Sequence, residues 1–182
     1  MKLVFLDRDG VINRFPGKGF YVTREEDFVF LPRAKEALRE LTVAGCEIHV
    51  ISNQGCVSRG LIAQEVLDRM TADMLAEVRK HGGNIQKVHY CVHQKTDHCE
   101  CKKPKLKLFF EAISGRALDM KQVYFVGDSV EDMEAGKNLG CRTALVLSGR
   151  TEESDLRDFP VKPEVIKKDL WEASEWILQK KS

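Results

Sequence analysis

Five short apolar runs, each followed by polar residues, limit the folds that this chain can adopt. The runs lie at residues 2–6, 47–52, 87–92, 123–127 and 143–147. Segments with helical periodicity lie at residues 33–44, 61–81, 105–114, 130–138 and 169–180. Short apolar runs predict buried strands, and strands separated by helices predict parallel pairing with helices on both faces. We therefore expect an α/β fold built on a doubly wound, Rossmann-like parallel sheet.

The ends of the first helix and the role of the tail can also be predicted. Pro32 stands where a proline favours the first helical position, and Gly45 follows the last periodic residue. The tail, residues 149–182, ends in an amphipathic segment that carries Trp171 and Trp176. We expect this tail to pack on the flank of the sheet.

Length and charge restrict the class of protein. The 182 residues fit one domain, which we assign to residues 1–182. The 29 Lys and Arg residues nearly balance the 28 Asp and Glu residues, which argues against nucleic acid or an anionic membrane as a partner. No apolar run approaches the ~20 residues that span a bilayer, and the N-terminus does not resemble a signal peptide. We expect a cytoplasmic monomer that acts on a small molecule.

Polar side chains suited to phosphoryl chemistry follow the predicted strands. Asp7 and Asp9 come after the first strand, Ser52 ends the second, and Asp128 comes after the fourth. Lys103 follows the third strand after a loop rich in cysteine. Ligands of doubly wound sheets bind beyond the carboxyl ends of the strands, so these side chains should meet there. Carboxylates of this kind suit Mg²⁺ together with a phosphate group.

Four motifs strengthen this interpretation. In chain order they read FLDRDGVIN, ISN, KKP and VGDSVEDMEAG. Over roughly residues 1–148 they resemble the motifs of the haloacid dehalogenase (HAD) superfamily. The resemblance implies that Asp7 attacks phosphorus and becomes an aspartyl phosphate, while Asp9 serves as general acid and then general base. It also implies that Ser52 and Lys103 bind the phosphoryl oxygens.

The same resemblance implies a Mg²⁺ site. The metal would be held by Asp7, the backbone carbonyl of Asp9, and Asp128. Asp132 is expected to begin a helix rather than to bind the metal directly. The segments that could host a cap, 13–32 and 53–84, are respectively a short loop and mostly helix, so we expect no large cap domain and an open cleft.

A cluster of thiols and an imidazole predicts a second metal. Cys91, His93, Cys99 and Cys101 form the pattern C-x-H-x5-C-x-C. Four protein donors of this type are typical of structural Zn²⁺. His98 is a possible substitute ligand. We expect zinc to order the loop 91–101 so that Lys102 and Lys103 face the phosphate, since metal binding can supply folding free energy to a polar segment.

The zinc pattern resembles one branch of the superfamily, which contains the D-glycero-D-manno-heptose 1,7-bisphosphate 7-phosphatases and the histidinol-phosphate phosphatases. The stretches GFYV at 19–22 and SNQG at 52–55 favour the heptose enzymes. The five residues between His93 and Cys99 make a short zinc loop, more like the histidinol-phosphate enzymes. Two positions depart from the heptose pattern: Lys102 stands where arginine is usual, and Ser129 where lysine is usual.

Substrate selection is expected from three loops, roughly 14–22, 54–60 and 94–102. The residues predicted to contact the substrate are Gly19, Phe20, Asn53, Gln54, Arg59 and Lys102. The preferred function is a heptose bisphosphate phosphatase, with histidinol-phosphate phosphatase as the alternative. A catalytically inactive, zinc-stabilised phosphate-binding module is the alternative of another class. A nucleic-acid 3′-phosphatase is disfavoured because the sequence has no basic stripe with aromatic residues.

Overall fold

A computed structural model describes residues 1–179 of this protein. Six strands form one sheet, in which every pair is parallel, with the order β3-β2-β1-β4-β5-β6. The strands are β1 Leu3–Leu6, β2 Glu47–Asn53, β3 Lys87–Cys91, β4 Val123–Gly127, β5 Arg142–Val146 and β6 Val165–Lys167. The predicted doubly wound parallel sheet and its five predicted strands are confirmed.

The predicted helices are also present. They are α1 Ala34–Val43, α2 Gln64–Lys80, α3 Lys107–Ile113, α4 Val130–Leu139 and α5 Leu170–Gln179. Short 3₁₀ turns lie at Glu25–Asp27, Lys95–Asp97, Met120–Gln122 and Glu153–Asp158. Position 180, predicted to end the last helix, lies outside the described residues.

The core has two layers because successive side chains of a strand point to opposite faces of the sheet. Val4 and Leu6 of β1 face the helices α1 and α5, whereas Leu3 and Phe5 face α3. On the second face, the ring centroids of Phe109 and Phe5 are 5.0 Å apart, and the rings pack edge to face. A sheet covered on both faces leaves the carboxyl ends of its strands as the natural place for a cleft.

The prediction for the start of α1 is wrong. Pro32 lies in a turn, and the helix begins only at Ala34. Arg33 between them has the left-handed backbone conformation, with φ 60°. Its guanidinium carbon lies 3.6 Å from the ring centroid of Trp171, a residue of the tail. This contact from a distant segment accompanies the turn, and no local pattern near Pro32 could indicate it.

The tail takes a larger part in the fold than predicted. It supplies the edge strand β6, where Val165 pairs with Ala144 of β5. Its helix α5 covers one face of the sheet, with Trp176 5.3 Å from the ring of Tyr124. The sixth strand has only three residues, too short for a period of two to be recognised.

The connections at the carboxyl end of the sheet are small. The segment from β1 to α1 contains one 3₁₀ turn, and the segment from β2 to α2 contains turns only, so the expected absence of a large cap holds for residues 1–179. Within that part of the chain, no helix is both long enough and apolar enough to cross a bilayer.

Candidate active site and thiol-imidazole cluster

The predicted catalytic residues meet at the carboxyl ends of β1, β2 and β4. Asp7 follows β1, Ser52 lies near the end of β2, and Asp128 follows β4. Lys103 lies in the loop between β3 and α3. These four side chains and that of Asp9 line one cavity with a volume of about 1290 Å³. The parallel register of these strands brings together residues as distant in the chain as Asp7 and Asp128.

Lys103 is the cation at the centre of this site. Its side chain is only 2% exposed, and its Nζ lies 2.9 Å from Asp7 Oδ1 and 2.7 Å from Asp132 Oδ1. The ammonium also donates a hydrogen bond of 2.8 Å to the backbone carbonyl of Ile51. Burial by itself lowers the pKa of Lys103, but the carboxylates of Asp132 and Asp7 outweigh it and raise the pKa. The side chain of Lys103 is therefore a cation at neutral pH.

Asp7 and Asp128 lie close enough together to bind a metal cation. Carboxylate oxygens of Asp7, Asp128 and Asp132 lie within 4.8 Å of one another. Burial raises the pKa of Asp7 to about 6, although Lys103 opposes this effect. Burial, followed by the charge of Asp7, raises the pKa of Asp128 well above its usual value. Buried carboxylates this close are ionised together only beside a cation, and oxygen donors of this kind fit Mg²⁺.

Asp132 has both oxygens engaged within the protein. Its Oδ1 pairs with Lys103, and its Oδ2 accepts hydrogen bonds from Ser129 Oγ at 2.6 Å and from the backbone N–H of Ser129 and Asp128 at 3.2 Å. With Ser129 it forms a capping box at the start of α4. Asp132 therefore begins a helix, as predicted, and in addition holds Lys103, which the sequence did not indicate.

Two glycines enclose the Asp128 carboxylate. A Cβ atom placed on Gly10 would lie 2.1 Å from Asp128 Oδ2, and one on Gly149 would lie 2.0 Å from it. The same oxygen accepts a 2.7 Å hydrogen bond from the backbone N–H of Arg150. Only glycine fits at these two positions. The motif reasoning missed Gly149 and Arg150, and the only sequence signal for them is a Ser-Gly turn after the fifth strand.

Asp9 accepts hydrogen bonds from three side chains. Arg8 Nη2 lies 3.0 Å from both oxygens, Asn13 Nδ2 donates at 2.8 Å, and Gln54 Nε2 donates at 2.8 Å. The Gln54 amide also donates to Ser52 Oγ at 3.0 Å, so it connects the predicted general acid to the predicted phosphate ligand. Sequence reasoning did not single out Arg8 or Asn13.

The predicted substrate-contacting residues fall into two groups. Gly19, Phe20, Arg59 and Lys102 line the cavity, and Arg59 lies 5.6 Å from the ring of Tyr21. The other two are engaged in internal hydrogen bonds. Their substrate contacts stay predictions.

Those internal hydrogen bonds give the second group a structural task. Asn53 lines the cavity, but its amide bonds to the backbone of Lys103, accepting at 3.0 Å and donating at 3.3 Å. Gln54 is 1% exposed and holds Asp9 and Ser52. Both residues orient catalytic candidates in the structure described.

The predicted zinc ligands converge. One ligand atom from each of Cys91, His93, Cys99 and Cys101 lies within 4.8 Å of the others. Cys91 Sγ is 3.6 Å from Cys99 Sγ, and His93 Nδ1 is 3.2 Å from Cys101 Sγ. All three cysteines are free thiols, and the donor set fits a tetrahedral Zn²⁺ ion. His98 lies outside this cluster and lines the cavity instead.

The thiol-imidazole cluster is connected directly to the candidate active site. Cys91 ends β3, and Cys101 precedes Lys103 by two positions. The Lys102 ammonium donates a 3.4 Å hydrogen bond to the carbonyl of His93. Lys105 bonds to the carbonyl of Cys99 at 2.7 Å. Order in this loop therefore bears on the position of the lysine pair.

Comparisons with known proteins agree with this geometry. A family model described as HAD-hydrolase-like matches residues 100–173. The chain is 34% identical over 160 residues to the D-glycero-beta-D-manno-heptose-1,7-bisphosphate 7-phosphatase of Pseudomonas putida, which covers 88% of this chain and 90% of that protein. It is 34% identical over 166 residues to the D-glycero-alpha-D-manno-heptose-1,7-bisphosphate 7-phosphatase of Campylobacter jejuni, covering 91% and 94%.

A solved structure is similar over nearly the whole chain. It is the D,D-heptose 1,7-bisphosphate phosphatase of B. bronchiseptica, complexed with magnesium and phosphate. The TM-score is 0.90 at 29% identity, and the match covers 98% of this chain and 99% of that one.

Proposed function

Since the chain belongs to the HAD-like hydrolases, in the family of D-glycero-D-manno-heptose-1,7-bisphosphate 7-phosphatases, we propose that it hydrolyses the 7-phosphate ester of this heptose bisphosphate. It is a phosphatase of the HAD fold. The observation that carries the proposal is the Asp7 carboxylate, 2.9 Å from Lys103 and grouped with Asp128 in one cavity.

In the proposed reaction, an Asp7 oxygen attacks phosphorus and forms the aspartyl phosphate. The bond from phosphorus to the ester oxygen breaks, and that oxygen leaves with the electron pair and takes a proton from Asp9. In the second step a water molecule attacks the same phosphorus and gives a proton to the Asp9 carboxylate. The bond from phosphorus to the Asp7 oxygen breaks, so inorganic phosphate is released and Asp7 returns as a carboxylate.

Ser52 and Lys103 are proposed to bind the oxygens of the transferring group. The hydroxyl of Ser52 is buried beside Gln54, and the Lys103 ammonium is held by two carboxylates and a carbonyl. Donors that are already oriented stabilise developing charge without reorganisation. This arrangement supports turnover rather than phosphate binding alone.

We propose that Mg²⁺ is held by Asp7, the backbone carbonyl of Asp9, and Asp128. When bound, Mg²⁺ supplies positive charge that offsets the anionic oxygens of the phosphoryl group. The close, buried carboxylates support this assignment. We further propose that Zn²⁺ on the thiol-imidazole cluster orders the loop before Lys102 and Lys103.

The charge distribution of the cavity supports a second anionic group on the substrate. The loops after β1, β2 and β3 bring basic side chains to its wall, namely Lys18, Arg59, Lys95, Lys102 and Lys105. Helix α4, which follows β4, and the segment after β5 bring mainly acidic side chains, namely Glu131, Glu134, Asp155 and Asp158. A substrate phosphate at Asp7 therefore has a basic wall on one side, where the second phosphate of a bisphosphate can lie.

Histidinol phosphate is the second candidate, for two reasons. The zinc loop is short, and the acidic wall could accept a cationic amine. The test is to measure kcat/KM on both substrates with the same enzyme preparation. We expect a clear preference for the heptose bisphosphate. A higher value for histidinol phosphate would refute the substrate assignment and leave the phosphatase chemistry intact.

The Asp7→Asn variant distinguishes an enzyme from an inactive binding module. Release of phosphate should fall to background, because the amide cannot form the aspartyl phosphate. Equal release by the variant and the parent protein would refute the nucleophile assignment. A cytoplasmic monomer made of one domain stays a prediction.

A further inference from the structure

Arg8 is an unusual residue in this protein because it is a fully buried cation. It lies in the first motif, between Asp7 and Asp9, but the motif assigns it no catalytic or metal-binding role. It is 1% exposed. Removing a guanidinium from water costs several kcal/mol, and apolar residues often serve as well in a core. A buried arginine at this position therefore needs a reason beyond stability.

The guanidinium of Arg8 is held between two aromatic rings. Its central carbon lies 5.7 Å from the ring centroid of Phe28 and 5.7 Å from that of Tyr90. Phe28 comes from the loop before α1, and Tyr90 comes from β3, where its hydroxyl lies 2.9 Å from Thr71 Oγ1. Two π faces on a desolvated cation stabilise its position.

The held guanidinium points at the Asp9 carboxylate. Arg8 Nη2 lies 3.0 Å from each carboxylate oxygen, and the Asp9 side chain retains 19% exposure toward the cavity. Asn13 and Gln54 donate to one oxygen each. These donors together fix both torsion angles of a short side chain. The Asp9 carboxyl group is thus oriented before a substrate arrives.

We propose that Arg8 is a positioning residue, which holds Asp9 in the orientation for proton transfer to the leaving alcohol. This inference rests on the proposed function, since it needs Asp9 to be the general acid. After Asp9 has given its proton to the ester oxygen, Arg8 keeps the resulting carboxylate in the same orientation. That carboxylate then takes the proton of the hydrolytic water. Arg8 itself touches neither the phosphoryl group nor the leaving oxygen in this scheme.

The test is the dependence of kcat/KM on the leaving group. The value of kcat/KM depends only on the steps up to and including the first irreversible one, which is the departure of the alcohol. The substrates are substituted phenyl phosphates with graded leaving-group pKa values, together with one alkyl phosphate. A p-nitrophenolate leaves without a proton, whereas an alkoxide needs one. Loss of a well-placed acid therefore reduces rates mainly for poor leaving groups.

For Arg8→Met we expect kcat/KM on the alkyl ester to fall about 10-fold to 100-fold, which is less than most of the ~10²–10⁴ that general acid catalysis supplies, because Asp9 itself is retained. On p-nitrophenyl phosphate we expect a change of less than about threefold. Arg8→Lys keeps the charge and should recover part of the alkyl rate. Gln54→Met removes another hydrogen-bond donor to Asp9, so it should steepen the dependence of kcat/KM on leaving-group pKa, but less than Arg8→Met does. Arg24→Met, an exposed arginine paired with Asp27, should leave every rate unchanged.

The Asp9→Asn variant separates failure of this inference from failure of the proposed function. If Asp9→Asn steepens the leaving-group dependence and a folded Arg8→Met does not, Arg8 is not a positioning residue. If Asp9→Asn has no effect on the slope, the general-acid assignment itself is wrong. Should Arg8→Met fail to fold, Phe28→Leu replaces it, because it removes one ring and keeps the guanidinium. A parental slope in folded Phe28→Leu would then overturn the inference.

Discussion

Replacing Gly149 by alanine gives a sharp test of the candidate metal site. The new methyl carbon would lie 2.0 Å from Asp128 Oδ2 and 2.7 Å from Asp128 Cβ. An ordinary contact needs at least 3.4 Å, so the carboxylate oxygen must move by more than an ångström. Gly149 does not have a positive φ angle, which means that alanine adds no backbone strain there. The variant therefore changes the position of Asp128 without removing it.

A misplacement of about 1 Å can cost about 100-fold in rate, so we expect kcat/KM to fall by about that factor. Affinity for Mg²⁺ should fall as well, because one of the two carboxylates proposed as ligands has moved. Steady-state kinetics over a range of Mg²⁺ concentrations measure the first effect. Isothermal titration with Mg²⁺ in the absence of substrate measures the second.

Gly115→Ala is the matched control. Its φ is +72°, and an added Cβ meets nothing within 4 Å, so it carries strain of about 1 kcal/mol without reaching the site. It should lose stability and keep full activity. Parental kcat/KM and parental Mg²⁺ affinity in a folded Gly149→Ala protein would contradict the assignment of Asp128 as a metal ligand.

Three further predictions concern charge and metal. Lys103→Met removes the cation between Asp7 and Asp132; we expect about 3–5 kcal/mol less unfolding free energy in urea and activity near background, whereas retained stability would refute the ion-pair account. Burial, followed by the nearby His49, lowers the pKa of His89 to about 4. Below about pH 6.5, the ordinary pKa of histidine, the unfolded chain therefore binds more protons than the folded chain. The free energy of unfolding is therefore highest above that pH and falls by about 3 kcal/mol toward pH 4 because of this residue. In urea titrations, His89→Gln should flatten this part of the pH profile. Removal of the proposed Zn²⁺ by a chelator, with Mg²⁺ then restored, should make the loop 91–101 sensitive to protease and lower activity, and unchanged cleavage would refute the structural role of zinc.

Much of the architecture could be predicted from local patterns. The alternation of apolar runs with helical periodicity predicted five strands and five helices, because a strand buried on both faces must be apolar along its whole length. The motifs after those strands predicted which side chains would converge, since parallel strands end at the same edge. The pattern of Cys91, His93, Cys99 and Cys101 predicted a cluster that the structure brings within 4.8 Å.

The remaining features depend on contacts between distant segments. Gly149 encloses Asp128 only because β4 and β5 lie side by side. The substrate contact predicted for Gln54 stays a prediction, but its hydrogen bonds to Asp9 and Ser52 could not be read from the sequence. The turn at Pro32 and Arg33 accompanies a contact with the tail, which also adds an unpredicted edge strand.

By itself, the sequence determined the kind of sheet, the order of its elements and the chemical groups at its edge, because periodicity and motif spacing are local properties. The tertiary structure alone decided how these groups are held: Lys103 between two carboxylates, and Arg8 between Phe28 and Tyr90. The physical reason is that the orientation and the charge state of a buried group depend on neighbours that only the folded chain brings within a few ångströms.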